Sequence, residues 1–408
     1  GVFFRRAYAP VPLTLPSHAS IMTGRYPPAH RVRINGRHRL DGKEDTLAEI
    51  LRRHGYLTHA VIASYVLQAQ FGTDQGFYRY DDGLTVDDGT DKPSAEIPAD
   101  RVYQKFSRWL ESCNDRLFFT WLHFYDPHMP YNPPAAFIRK GFEKDQRKLY
   151  LGEIENVDLN IGRIVKDLRE RNLLDRTLIV LAGDHGEAFG EHHEYGHTVF
   201  GYEENLRVPL IFFHPGLAGI RIVDEPVCLV DVLPTVTDLL GIPASPAVQG
   251  ISLRPFFSGD MADGEREIYF ESLWGSLEKN WAPLTGIVFR GVKFIDLPDA
   301  ELYDLNADPA ERYNLSRRKF KLSGEYRKRL QKFLSAFCGG TPVSASPDEE
   351  GLKKLSTLGY ISDEKAIAIG NVDPKRGIIL KNKLDRLSGQ IARCVGLEEA
   401  EAELLLYA

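Results

Sequence analysis

Three stretches of the chain gather side chains able to do chemistry. The first is "APVPLTLPSHASIMTGRYP", from Ala9 to Pro27, where Thr14 and Ser17 stand at the start of a short apolar segment that ends in Gly-Arg. A hydroxyl before a helix is ordinarily a cap that accepts a hydrogen bond from an orphan amide. The same place, with exposed amides and the positive end of the helix dipole, also favours an anion. Thr14 is therefore either a cap or a nucleophile held against a phosphorus or sulfur centre.

The second stretch, "LFFTWLHFYDPHMPYNPP", places His123, Asp126 and His128 at or just beyond the end of an apolar strand. The third, "TLIVLAGDHGEAFGEHHEYGHTVFGYEENLRVPLI", delivers Asp184 and His185 directly after another strand. Of the chain's 12 histidines, His185, His192, His193 and His197 fall within it, which makes it the densest source of ligand-type side chains. A strand tip reading Asp-His-Gly suits a divalent cation, because carboxylate and imidazole diverge from adjacent residues while Gly186 lets the backbone turn away. Each residue also has an ordinary alternative. Asp184 can cap the next helix, His185 can be a surface residue and His123 a core histidine. His128 can fill a turn between prolines, His192 and His193 can belong to a hydrated loop, and Arg207 can pair with Glu203 or Glu204.

The elements that must position these groups follow from periodicity. Ser17 to Thr23 reads as a short helix closed by Gly24. Thr46 and Glu49 form a capping box ahead of "LAEILRRHG", and "HAVIA" reads as a buried strand. Pro98 opens a helix carrying Val102, Phe106, Trp109 and Leu110. A long helix over Lys148 to Arg171 is expected to turn Ile154, Val157, Ile161, Ile164 and Leu168 to the core. "DDGLTVDDGTDKPSAEIP" reads as a solvated linker, without the spacing of a calcium loop. Strands alternating with helices predict an α/β fold with a mostly parallel central sheet covered on both faces.

After Gly259, "EIYFES", "GIVFRGVKFIDL" and "ELYDL" predict a smaller antiparallel sheet. From about Pro347 the chain reads as a polar linker. A helical tail follows from Pro374, with apolar Ile378, Leu380, Leu384 and Leu387, and "AELLLYA" reads as the start of a helical repeat region. The expected divisions are a catalytic α/β domain over 1–258, a smaller subdomain over 259–346, and a linker with helical tail over 347–408.

Taken together, the three stretches resemble the sulfatase-like branch of the alkaline phosphatase superfamily. "TLPSHASIMTGRYP" is similar to its nucleophile helix, "HFYDPHMPYNPP" to its substrate-binding strand end, and "GDHGE…GH…YEENLRVPLI" to its metal-and-substrate block. "LVDVLPTVTDLLGIP" and "ELYDLNADPAERYNL" are similar to later family segments that carry no chemistry. The resemblance implies an alkaline phosphatase-like fold and a metal-dependent ester hydrolase. Thr14 falls on the nucleophile position, Asp184 and His185 on metal ligands together with the Thr14 oxygen. His128 and His197 fall near residues that hold the transferred group or protonate the leaving group, with pKa values expected to suit neutral pH. His18 replaces the arginine that usually steadies the nucleophile, and His123, Asp126 and Arg207 are further candidates for substrate contact.

Two departures shape the expected substrate. Sulfatases carry a cysteine or serine at the nucleophile position, which becomes formylglycine, whereas Thr14 has no such route. The family's Gly-Lys-Trp-His segment is replaced by "VIASYVLQAQFG". Both favour a phosphodiester or phosphonate monoester over a sulfate ester, by analogy with threonine-nucleophile phosphodiesterase and transferase relatives. An arylsulfatase-type activity is the alternative within the fold, and a non-catalytic scaffold with a partner-binding tail the alternative outside it. The resemblance implies one divalent ion (Mn, Zn or Ca) and a small-molecule, lipid or glycan ester as substrate. The family's first strand, which supplies metal-binding aspartates, is absent from a sequence that opens Gly-Val-Phe-Phe. That implies an incomplete metal site and an unpaired strand edge.

Composition narrows the remaining classes. With 408 residues, 51 Lys+Arg against 57 Asp+Glu and a net charge of −6, there is no broad electrostatic case for nucleic acid. Cys113, Cys228, Cys338 and Cys394 lie far apart, too few for a disulfide framework, and read as buried thiols. No apolar run approaches membrane-spanning length, and no signal peptide is visible. The compartment stays open, with a periplasmic or membrane-attached setting preferred for the intact protein.

Overall fold

The computed structural model describes residues 1–84, 95–113, 116–217, 219–243, 245–259, 265–337, 340–361 and 372–392. The Asp-rich linker of residues 81–98, Cys338, Cys394, Leu387 and the terminal "AELLLYA" lie wholly or largely outside the residues or side chains described. Within the described residues Cys113 and Cys228 are buried free thiols, as expected. No helix among the described residues is long and apolar enough to cross a membrane.

The α/β reading holds, but the central sheet is mixed rather than mostly parallel. Its strands run in the order Arg221–Val223, Val2–Tyr8, Arg207–Phe213, Ile179–Ala182, with Val227–Cys228 also alongside Val2–Tyr8. Val2–Tyr8 is parallel to Arg221–Val223 and antiparallel to Arg207–Phe213, which in turn is antiparallel to Ile179–Ala182. The chain leaves Ile179–Ala182 and comes back at the same end of the sheet, with only the four-residue α-helix Glu203–Leu206 on the way, too short to carry it across, so its return strand is antiparallel. That excursion is the Asp-His-Gly block. A separate three-stranded sheet, Arg79–Asp81, Leu57–Val61 and Phe118–Leu122, is wholly parallel. Phe118–Leu122 and Ile179–Ala182 each have a single strand partner among the described residues.

The first helix begins three residues earlier than its pattern suggests, at Thr14, and runs to Thr23. Leu13 is its N-cap, and no side chain caps there, so Thr14 is a first-turn residue and not a cap. Pro16 is tolerated because a first-turn residue needs no intrahelical donor. Gly24 closes the helix in the left-handed conformation, its N–H on Ser20 O. Every residue except Ile21 is buried, so the helix lies inside the domain and presents its start to the site.

The long helix spans Gln146–Glu170, but its buried line is Leu149, Gly152, Glu153, Asn156, Asn160, Ile164 and Leu168. Ile154 is exposed, and Val157 and Ile161 are only partly covered. The expected face is displaced because the first half of the helix packs on the loop that follows His123. Glu153 accepts the backbone N–H groups of His128 and Asn132 (3.2 and 2.5 Å), and a Cβ at Gly152 would lie 2.9 Å from Phe137 O. Those loop amides need acceptors more than they need an apolar partner.

The predicted second sheet is present as Ile268–Ser272, Leu284–Phe289, Val292–Asp296 and Glu301–Asp304, antiparallel throughout. Helix Phe320–Ser335 covers it with Tyr326 and Leu330. One apolar core runs from Phe4 and Leu210 through to Phe270 and Ile287. Lys293, fully buried, ties the two parts together through Glu203 and Glu311 at 2.9 and 3.0 Å.

The polar linker expected from Pro347 is instead a helix, Glu349–Thr357, whose Asp348 cap accepts from Gly351 N–H. Helix Pro374–Ala392 packs back on the body at its start. Trp281 lies against Gly377, Ile378 is buried, and Asn382 Nδ2 donates to His193 O at 2.7 Å.

Candidate active site

The buried helix start and the tip of strand Ile179–Ala182 meet. Ser17 Oγ donates to Asp184 O at 2.6 Å, locking one to the other. Gly186 makes the turn possible: its N–H donates to Asn205 O at 2.8 Å, and any Cβ would collide with the Glu204 carbonyl. The result sets Thr14 Oγ1 3.2 Å from His185 Nε2, with Asp184 Oδ2 3.4 Å from the same nitrogen.

Backbone carbonyls fix the imidazole tautomers. His185 Nδ1 faces Gly186 O (3.0 Å), His197 Nδ1 faces Pro12 O (2.9 Å), and His128 Nδ1 faces Met129 O (2.7 Å). A carbonyl only accepts, so each Nδ1 donates and each neutral ring turns an Nε2 lone pair inward. His185 Nε2 therefore accepts from the Thr14 hydroxyl. His128 and His197 bring their Nε2 atoms to 3.1 Å of each other, two facing lone pairs that only a proton shared between the rings would join. The His185 and His197 rings stack at 4.0 Å, and Tyr125 stacks on His128 at 4.3 Å.

His18 sits behind Thr14, Nδ1 donating to the Thr14 carbonyl at 2.9 Å and lying 3.5 Å from Asp184 Oδ2. It thus steadies the first turn through the backbone. The helix amides contribute less to an anion than expected. Leu15 N–H is taken by Asn35 Oδ1 at 2.9 Å, and Pro16 has none.

Burial governs the site's protonation. It pushes His128 down to about 4, and lowers His18 and His197 as well. The expectation of pKa values suited to neutral pH is therefore wrong for His128 and His197 in the ligand-free site, because both rings are walled in by aromatic neighbours. Burial alone would raise Asp184, but His185, His18, His123 and His197 outweigh it and hold the carboxyl well below its usual range. Burial raises Glu187, beside Tyr131, to about 7.

Three of the expected substrate contacts lie elsewhere. His123 is buried against the back of His18, ring centroids 5.0 Å apart, and accepts Ala63 N–H. Asp126 accepts Ala99 N–H at 2.7 Å, serving the start of helix Ala99–Glu111. Arg207 pairs with Glu203 at 4.0 Å. His192 stacks on Tyr202 at 3.6 Å instead of lying in open solvent.

Sequence reasoning missed Tyr360, which is 1% exposed with its hydroxyl 3.4 Å from His128 Nε2. It comes from the segment read as a linker, and a lone Tyr after Leu-Gly carries no chemical signature. Asn35 was likewise missed.

Thr14 Oγ1, Asp184 Oδ2 and His185 Nε2 fit part of the shell of a divalent cation: one carboxylate, one inward lone pair and one hydroxyl. Elsewhere among the described residues, His192, Glu204 and Glu311 bring three donor atoms within 4.8 Å of one another. There the Lys293 ammonium already serves as the cation, 3.0 Å from Glu311.

Comparison with known proteins places this arrangement in context. The family model described as Sulfatase matches residues 1–242, and that for N-sulphoglucosamine sulphohydrolase, C-terminal, matches residues 190–336. The choline-sulfatase of Rhizobium meliloti (strain 1021) is 33% identical over 176 residues, 42% of this chain and 33% of that protein. The chain spans less than half the length of the curated relatives it matches. Among solved structures, Ps i-CgsB in complex with k-i-k-neocarrahexaose aligns at TM-score 0.70 and 19% identity, over 88% of this chain and 90% of that one. The phosphonate monoester hydrolase of Silicibacter pomeroyi aligns at TM-score 0.67 and 21% identity, over 82% and 88%.

Proposed function

The chain belongs to the sulfatase family, and from that premise we propose that its Thr14 site cleaves a phosphodiester or phosphonate monoester, with Thr14 as the nucleophile. The observation that carries the reading is the Thr14 hydroxyl, buried at the first turn of its helix and hydrogen-bonded to His185 Nε2 at 3.2 Å. Thr14, Asp184 and His185 would hold a divalent cation. When bound, such an ion supplies positive charge that lowers the cost of an alkoxide. An imidazole among the donors suits Mn or Zn better than Ca.

The chain's own groups do the rest. His18 and Ser17 hold the first turn and the Asp184 backbone in register, so that the Thr14 oxygen faces the reacting centre. Thr14 Oγ forms a bond to phosphorus as the bond to the leaving oxygen breaks. The inward Nε2 lone pairs of the His128–His197 pair take up the proton shed by Thr14 and return it to the leaving oxygen. Water then breaks the Thr14 Oγ–phosphorus bond and restores the hydroxyl.

A sulfate ester is the second reading, favoured by the name of the choline-sulfatase relative. It requires a chemistry for sulfur that does not pass through the aldehyde hydrate made from cysteine or serine. The test is turnover of a nitrophenyl sulfate, a phosphate monoester, a phosphate diester and a phosphonate monoester, with Mn²⁺, Zn²⁺ or Ca²⁺. Diester or phosphonate turnover that needs metal and disappears in Thr14→Ala is expected. Sulfate turnover with the same dependence would replace this reading with the second. Turnover that survives in Thr14→Ala would remove Thr14 as nucleophile.

A further inference from the structure

Tyr360 reaches the nucleophile from a stretch of chain that belongs to neither sheet. Its position is fixed by backbone and packing, independently of its hydroxyl. Tyr360 N–H donates to Leu355 O, and Tyr360 O accepts from the buried Trp274 Nε1 at 3.0 Å. Helix Glu349–Thr357 is seated on the first domain: Leu355 is fully buried over Gly36, and Gly351 lies against the Tyr65 hydroxyl. The phenol ring lies 6.0 Å from the His197 ring, and its hydroxyl is 3.4 Å from His128 Nε2, with the Thr14 side chain among the neighbours that act on it.

Several donors that would be expected to meet an anionic ester are turned away or committed. His128 and His197 both turn lone pairs inward in their neutral forms, Leu15 N–H is committed to Asn35, and Pro16 has no N–H. A phenol is a donor that stays neutral, and burial keeps this one protonated.

Resting on the reading of Thr14 as nucleophile, we infer that Tyr360 is a residue of the active site whose hydroxyl donates to a non-bridging oxygen of the bound phosphoryl group. In the free protein the same hydrogen is lent to His128 Nε2. An entering anion exchanges one acceptor for another at this hydroxyl. A donor aimed at an oxygen that gains charge during attack contributes more in the transition state than in the ground state.

The experiment uses the full chain with the metal that supports turnover. Tyr360→Phe keeps the ring, the Trp274 contact to its carbonyl and the packing, and removes only the hydroxyl. Expected is a fall in kcat of roughly 10²-fold with little change in KM. The melting temperature should match the parent, and the exposed Tyr313→Phe should behave as the parent in every respect. Calorimetric titration with inorganic phosphate gives a second readout, with binding weakened about tenfold in Tyr360→Phe. Parent-like kcat and phosphate affinity in Tyr360→Phe, alongside a silent Thr14→Ala, would overturn this inference and leave the nucleophile standing. A Thr14→Ala protein as active as the parent would overturn the underlying reading instead. A parent protein that neither turns over these esters nor binds phosphate would overturn both.

Discussion

Gly186→Ala perturbs the joint on which the site depends. A Cβ at this position would lie 2.0 Å from Glu204 O, 3.0 Å from Glu204 C and 3.3 Å from Asn205 Cα. All three are backbone atoms, so no rotamer change relieves the contact. Separations under 3.0 Å are essentially never met, so the strand tip and the Glu204–Asn205 turn must part by at least the difference between 3.0 and 2.0 Å. Overpacking of this kind costs about 1–3 kcal/mol. Loss of the Gly186 N–H to Asn205 O bond adds about 0.5–1.5 kcal/mol. Together these give about 1.5–4.5 kcal/mol, which for a chain of this size lowers the melting temperature by about 2–5 °C. His185 is the preceding residue, and a displacement near 1 Å at a reacting group costs on the order of 10²-fold in rate. The assay pairs thermal melting with ester turnover, using Gly162→Ala as control. Gly162 sits inside helix Gln146–Glu170, and a methyl group there would meet nothing within 4 Å, so alanine should stabilise by about 0.4–1 kcal/mol. A Gly186→Ala protein that melts and turns over like its parent would refute the close packing of the Asp184–His185 tip on residues 204–205.

Two further outcomes follow from buried charge. Lys293→Met leaves Glu203 and Glu311 without their ammonium and should cost about 3–5 kcal/mol in chemical denaturation. Adding Glu311→Gln should return part of that loss, and an unchanged double mutant would contradict the assignment. Burial pushes His59, stacked on Trp109, and His30 down to about 3. Between pH 6.5 and 3 the unfolded chain binds protons at these positions and the folded chain does not. Stability therefore falls as pH drops through that window, by up to about 1.4 kcal/mol per pH unit for each group. Urea midpoints at pH 7.5, 6 and 5 measure the slope, and His59→Gln should make it shallower; an identical slope would exclude His59 as a source.

The chemistry-bearing residues were legible where local pattern and residue type coincide. Asp184 and His185 follow an apolar strand and precede a glycine, and Thr14 opens a proline-containing first turn. Both statements are local; the strand tip lies where the pattern puts it, whereas the helix starts at Thr14 and not at Ser17. The capping box of Thr46 and Glu49 and the second antiparallel sheet were legible for the same reason. Asp126 and His123 are of the right type and in the right segment, yet one serves a helix start and the other backs His18. Which way a side chain turns at a strand end depends on which unpaired amides lie nearby, and periodicity does not carry that.

What the sequence alone determined is the α/β class, the placing of Thr14 close to a helix start and the pairing of Asp184 with His185 at a strand tip. Each rests on contacts within a few residues, where propensity and period speak directly. Tertiary structure alone decided the mixed sheet, because strand direction depends on the path of a connection and not on the strand's own residues. It also decided that Glu153 faces inward, since the partner loop supplies amides in place of methyl groups. The tautomers of His128, His185 and His197 are fixed by carbonyls, one of them at Pro12, far along the chain from His197. Tyr360 enters the site only because helix Glu349–Thr357 packs on Tyr65 and Gly36 while Trp274 holds its carbonyl. Burial then sets the histidines' protonation, and burial belongs to the folded molecule.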